Sequence, residues 1–306
     1  MEQNKTENAI PYVRSLTKKV PVLPILGLVI ALFLSTGLTT AFDDAIGHFE
    51  YGAVTFYVTA AGIAAAAVIS ALLGRLAREK FSFAAYPESM PMSACALYFT
   101  AVMAAVTSAA ELYDIYVLRT HAAGALEILA AALLPALTLS AVLGAHEKTR
   151  HSVLRIIFAL LAVLALNLNM FACYFDFTLP LNSPVRNIIT IAQAGTMLVL
   201  LSEVRLALSP ETRATSPFFV FTSAFAASAV LGISFALCVY AFVSPDAAAM
   251  GISVYRFACY FGVSLLALSR LLALNGAAGT YVAPPEPETE PENDNGNAPA
   301  KKSPLK

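Results

Sequence analysis

Among the ionisable side chains inside the long apolar runs of this 306-residue chain, two stand out, Glu127 and Arg256. A charge at the centre of a membrane helix costs roughly 2.5–3.5 kcal/mol on insertion scales, so each is a candidate functional residue. Both lie about the same distance into their runs, and their signs are opposite. A buried ion pair between them is therefore the expected arrangement, each charge offsetting part of the other's desolvation. Further polar groups fall at comparable depth: Asn167 and Asn169, Asn187, Thr190 and Gln193, and Glu111 with Thr107 and Ser108 one turn before it. Tyr255 and Tyr260 flank Arg256, and Tyr113 and Tyr174 close two other runs. Glu127, Arg256, Gln193, Asn187, Asn167, Tyr255 and Tyr260 are the expected lining of a polar pocket capped by tyrosines. Asn167 and Asn169 lie about 200° apart on a helix, so only one of them can face it.

Covalent and metal chemistry find no matching pattern. His146 and His151 are five residues apart with Glu147 between them, which is not H-E-x-x-H. There is no G-x-S-x-G, no Walker A, no G-x-G-x-x-G and no C-x-x-C among the four cysteines. Cys173 and Cys259 read as small hydrophobes. The sequence therefore gives no reason to expect an enzyme, a cofactor or a metal.

The elements that must carry these residues are membrane helices. Apolar residues make up 58% of the chain and charged ones 13%, with a mean hydropathy of +0.71; soluble domains hold about 25% charged residues. A net charge of −1 speaks against a general nucleic-acid binder. Spanning a bilayer takes about 20 apolar residues. Eight runs qualify: Val22–Phe42, Tyr51–Gly74, Met92–Tyr113, Ala122–Ala145, Ser152–Tyr174, Pro184–Leu208, Pro217–Val243 and Met250–Asn275. None alternates with period two, which excludes a barrel. The first apolar core is longer than a secretory signal and is read as a retained helix. The expected fold is an all-α polytopic bundle of about eight transmembrane helices over 21–275, between a cytoplasmic segment 1–20 and a disordered Pro/Glu-rich tail 276–306.

Basic residues collect at cytoplasmic helix ends. With the N-terminus inside, the inner flanks hold Lys5, Arg14, Lys18, Lys19, Arg75, Arg78, Lys80, Lys148, Arg150, Arg155, Arg205, Arg213 and Arg270, against Arg119, Arg186 and Arg256 outside. The outer loops are short and acidic, with Asp43, Asp44, Glu50, Asp114, Asp176 and Asp246. Both termini are thus expected in the cytoplasm. Glu203, Arg155, Arg205 and Arg270 stand close enough to the inner ends to snorkel.

Three runs repeat small residues every fourth position, as helices packing closely in lipid require: Gly62, Ala66, Ser70 and Gly74; Ala96, Thr100, Ala104 and Ser108; Ala224, Ser228, Gly232 and Ala236. Pro135 should kink the fourth helix, while Pro184, with Ser183 as N-cap, should start the sixth. Odd helices end on Phe42-Asp43, Tyr113-Asp114, Phe175-Asp176 and Pro245-Asp246, which allows a repeat of four helical hairpins.

The run from Phe175 through Asp176 and Asn182-Ser183-Pro184, followed by Glu203-Val204-Arg205, resembles a pattern in functionally unassigned multi-pass membrane proteins of Gram-positive bacteria. The resemblance implies a cell-membrane location and carries no catalytic or binding residue. From the sequence, the chain reads as a non-enzymatic membrane subunit or sensor with an outward-facing polar pocket. Its expected partners are the lipid bilayer, a membrane or cytosolic protein, and a small polar ligand from outside. The alternative is a small secondary transporter for a charged or zwitterionic solute.

Overall fold

A computed structural model of the chain describes residues 21–43, 46–80, 82–83, 91–118, 124–175, 180, 182–208, 217–244, 247, 250–276 and 281–282. The expected N-terminal segment and the Pro/Glu-rich stretch from residue 283 lie outside the described residues, as do Asp44, Asp176 and Asp246.

Eight helical segments are long and apolar enough to cross a membrane. They are α1 (Val22–Thr40), α2 (Val54–Lys80), α3 (Pro91–Tyr113), α4 (Ala125–Leu133 and Pro135–Ala145), α5 (Val153–Phe175), α6 (Pro184–Leu208), α7 (Pro217–Phe225 and Leu231–Val243) and α8 (Val254–Gly276). The protein is an all-α, multi-pass integral membrane bundle.

Two spans depart from regular α-helix. Pro135 lacks an N–H, and α4 is interrupted one residue before it, at Leu134, whose own N–H still reaches the Ala130 carbonyl at 3.0 Å. In α7 a π-helical stretch, Ala226–Val230, widens the backbone mid-span. Glycines on the neighbouring helices make room for it. A Cβ on Gly27 of α1 would stand 2.8 Å from the Ser228 carbonyl oxygen, and one on Gly195 of α6 would run into the Val230 side chain. A second π-helical turn, Asp114–Leu118, extends α3.

The twelve small residues at fourfold spacing are all buried, so these stripes are packing faces. α6 and α7 are the most embedded helices, and α7 packs on α1, α2, α6 and α8. Five helices close a ring in the order α3, α4, α5, α6, α8 and back to α3. The consecutive pairs α1–α2, α3–α4, α5–α6 and α7–α8 all pack as hairpins, but they occupy unlike places: α7–α8 is central and α1–α2 flanks it.

The loops between α1 and α2, α3 and α4, α5 and α6, and α7 and α8 define an acidic end; the other loops define a basic end. At the acidic end, β1 (Phe42–Asp43) pairs antiparallel with β2 (His48–Phe49), turning through Gly47 at φ 67°. Ser183 directs its hydroxyl to the Gly47 carbonyl at 2.8 Å, fastening this turn to the start of α6. Pro184 is the first helical residue, as its fixed φ favours. At the basic end, β3 (Ser82–Phe83) pairs antiparallel with β4 (Tyr281–Val282), joining the segments that follow α2 and α8.

Candidate functional site

The pocket at the acidic end lies within the five-helix ring, and helical spacing selects its lining. Thr107 and Glu111 come from α3, and Ala130 and Leu134 from α4, each pair four residues apart. Ala165, Leu166 and Asn169 come from α5; Arg256, Cys259 and Tyr260 come from α8. Together they line a small cavity of about 10 Å³. Charge sits on α3 and α8, and hydrocarbon on α4 and α5.

Arg256 is held by Glu111. Its Nε and Nη2 both donate to Glu111 Oε1, at 2.9 and 2.6 Å, with side chains 15% and 18% exposed. Tyr260 is 1% exposed, packs edge-on against Phe257 with ring centroids 5.4 Å apart, and its hydroxyl has no hydrogen-bond partner among the described residues. Thr107 spends its hydroxyl proton on the Met103 carbonyl of its own helix, at 2.7 Å.

The partner expected for Arg256 is thus corrected from Glu127 to Glu111. Equal depth did not decide the pairing, because α8 packs along α3, whereas α4 flanks α3 and α5. Glu127 occupies the first turn of α4, half-buried, where the helix dipole favours a negative charge. Of the remaining expected residues, Tyr260 lines the pocket, while Asn187 and Tyr255 are exposed. Asn169 lines the pocket in place of Asn167, which is half-buried and outside the lining. Gln193 is fully buried, its Nε2 4.0 Å from Cys173 Sγ and its Oε1 without a partner among the described residues. The expected tyrosine cap is not formed: Tyr113, Tyr174 and Tyr255 are all exposed.

A second charged cluster, at the basic end of the same ring, went unread in the sequence. Glu203 of α6 accepts from Arg155 of α5 at 2.9 Å and from Arg270 of α8 at 3.1 Å, and all three residues are at least 95% buried. Arg155 also donates through Nη1 to the Arg150 carbonyl at 2.8 Å. Its guanidinium lies against Gly144 of α4, where a Cβ would come within 2.9 Å of Nε. Ser269 of α8, next to Arg270 in sequence, shares a hydrogen bond of 2.8 Å with Ser93 of α3. The expectation that Arg155, Glu203 and Arg270 snorkel is therefore overturned; Arg205 alone is exposed. A usable signal existed: Glu203 is an acid on the basic flank, where topology favours bases. It needed a cationic partner to be buried there.

Among the described residues, no three His, Cys, Asp or Glu side chains converge. The chemistry on offer at both ends is charge pairing and hydrogen bonding. Comparison of the chain with protein-family models, with curated proteins and with solved structures finds no match.

Proposed function

We propose that the chain is a non-enzymatic subunit or sensor of the cell membrane that binds a small polar ligand in its acidic-end pocket, from outside. The supporting observation is the Glu111–Arg256 pair set beside the unpartnered Tyr260 hydroxyl. A buried hydroxyl left without a partner costs roughly 1–3 kcal/mol, which a bound solute would remove. The excess of basic residues on one set of loops supports the orientation, with both termini cytoplasmic and the pocket facing out. A membrane or cytosolic protein partner would then receive the signal.

The experiment is isolation from native membranes in mild detergent, followed by mass spectrometry of what is retained at stoichiometric amounts. The expected result is a small polar solute carried by the wild type and lost from Tyr260→Phe. Absence of any retained solute, with no thermal stabilisation by added polar solutes, would overturn the reading.

A second reading, secondary transport, is favoured by one observation: the Arg155–Glu203–Arg270 cluster stands at the opposite end of the same ring. Ionic contacts at both ends of one helical ring are what alternating closure of a pathway would use. Uptake of solute into proteoliposomes separates the two readings.

A further inference from the structure

We infer that two copies of the chain associate side by side in the membrane through the outer face of α5, with their Asn167 amides hydrogen-bonded to each other within the contact. This contact is independent of the pocket, which lies on the other side of the same helix.

The two asparagines of α5 part company in the structure. Asn169 lines the pocket, and Asn167, about 200° round the helix, does not. Asn167 is half-buried, and its amide makes no hydrogen bond among the described residues. It stands about two turns before Phe175, which closes α5, so it lies about 12 Å inside the helix end, too deep for a short side chain to reach water. An amide in hydrocarbon without a partner is unfavourable. Hydroxyls near the end of α1 avoid that cost on carbonyls of their own helix: Ser35 donates to Leu32 at 3.2 Å, Thr39 to Ser35 at 2.9 Å and Thr40 to Thr36 at 2.7 Å. Asn167 makes no such bond.

The residues around it form a continuous face. Ile157, Leu160, Leu164, Phe171 and Tyr174 are all exposed. With Asn167 they follow alternating steps of three and four residues, the heptad spacing on which two helices pack at a shallow angle. One asparagine in such an apolar seam fixes the register of the pair. Within one copy only 22% of the α5 span is buried, against 67% for α6 and for α7, so the face is open to a neighbour.

Polar complementarity selects a second copy as that neighbour. Copies inserted the same way across the membrane are related by a two-fold axis along its normal, which lays α5 parallel to α5 with every residue at the depth of its counterpart. Asn167 thus meets Asn167. A carboxamide carries both donor and acceptor, so two of them exchange N–H···O bonds and satisfy each other. Lipid chains offer neither group.

The test uses the full-length protein in lipid vesicles, with one fluorophore per chain and subunits counted by stepwise photobleaching as the protein-to-lipid ratio is lowered. The expected result is a dimeric wild type and an Asn167→Leu variant whose dimer dissociates about tenfold more readily. Asn167→Gln keeps the amide and should keep most of the affinity. A melt of Asn167→Leu in detergent that matches the wild type shows that its fold is intact. A second measurement leaves Asn167 in place. With the four native cysteines replaced by alanine, Leu164→Cys should form an intermolecular disulfide on mild oxidation in native membranes, whereas Val68→Cys, exposed on α2, should not. A monomeric wild type at every ratio, equal affinity of wild type and Asn167→Leu, or equal cross-linking at both cysteines would overturn the dimer. Cross-linking of Leu164→Cys to a different protein would overturn it too, by giving the face to another partner.

Discussion

Arg256 illustrates how little a single residue discloses about its partner. Its depth and charge announce that it must be paired, but the choice between Glu111 and Glu127 belongs to the packing of α8 on α3. The difference is measurable. Glu111→Ala strands a guanidinium that is 15% exposed and should lower stability in detergent by about 3–5 kcal/mol. Replacing both members, Glu111→Leu with Arg256→Met, should restore most of the loss, since an apolar pair of similar volume replaces an ionic one at little cost. At the other end, Glu203→Gln removes the carboxylate that serves both Arg155 and Arg270 and should destabilise more than Glu111→Ala. Chemical or thermal melts of the purified variants check the order. Asn169 and Tyr260 were legible as to type and depth; which asparagine turns inward was not, because the phase of α5 about its axis is set by its neighbours.

Elements were the most legible level, since span length and hydropathy obey the bilayer and nothing else. The eight spans, the interruption before Pro135, the start of α6 at Pro184 and the three small-residue faces all follow from local rules. The π-helical stretch Ala226–Val230 does not, because its sequence is ordinary for a span and the widening depends on Gly27 and Gly195 across the interface. Ser183 carries the same lesson: its type and position suit a cap, and its hydroxyl instead fastens a distant turn. Gly232 packs against the backbone of α1 so closely that a Cβ would overlap the Gly27 carbonyl. Gly232→Ala should therefore destabilise by about 1–3 kcal/mol, while the larger change Ala132→Leu, at an exposed position of α4, should be nearly neutral. Melting of both variants in detergent decides whether this face is as tight as described.

For the whole molecule, the ring α3–α4–α5–α6–α8 places one ionic contact near each end, and α8 contributes an arginine to both. No reading of separate spans reaches this, because ring closure depends on which helices are neighbours across long stretches of sequence. Orientation is the companion claim. A peptide tag inserted at Gly52, exposed and with open space around it, should be reached by antibody on intact cells. A tag after Lys306 should be reached only after permeabilisation. The reverse pattern would turn the pocket to the cytoplasm. The most direct measurement is accessibility of the pocket itself, through Asn169→Cys with the four native cysteines, Cys95, Cys173, Cys238 and Cys259, replaced by alanine. Small, membrane-impermeant thiol reagents applied to intact cells should modify this cysteine, and the solute retained by the wild type should slow the reaction. Modification only from the cytoplasmic side, or none from either side in a folded protein, would contradict an outward-opening binding pocket.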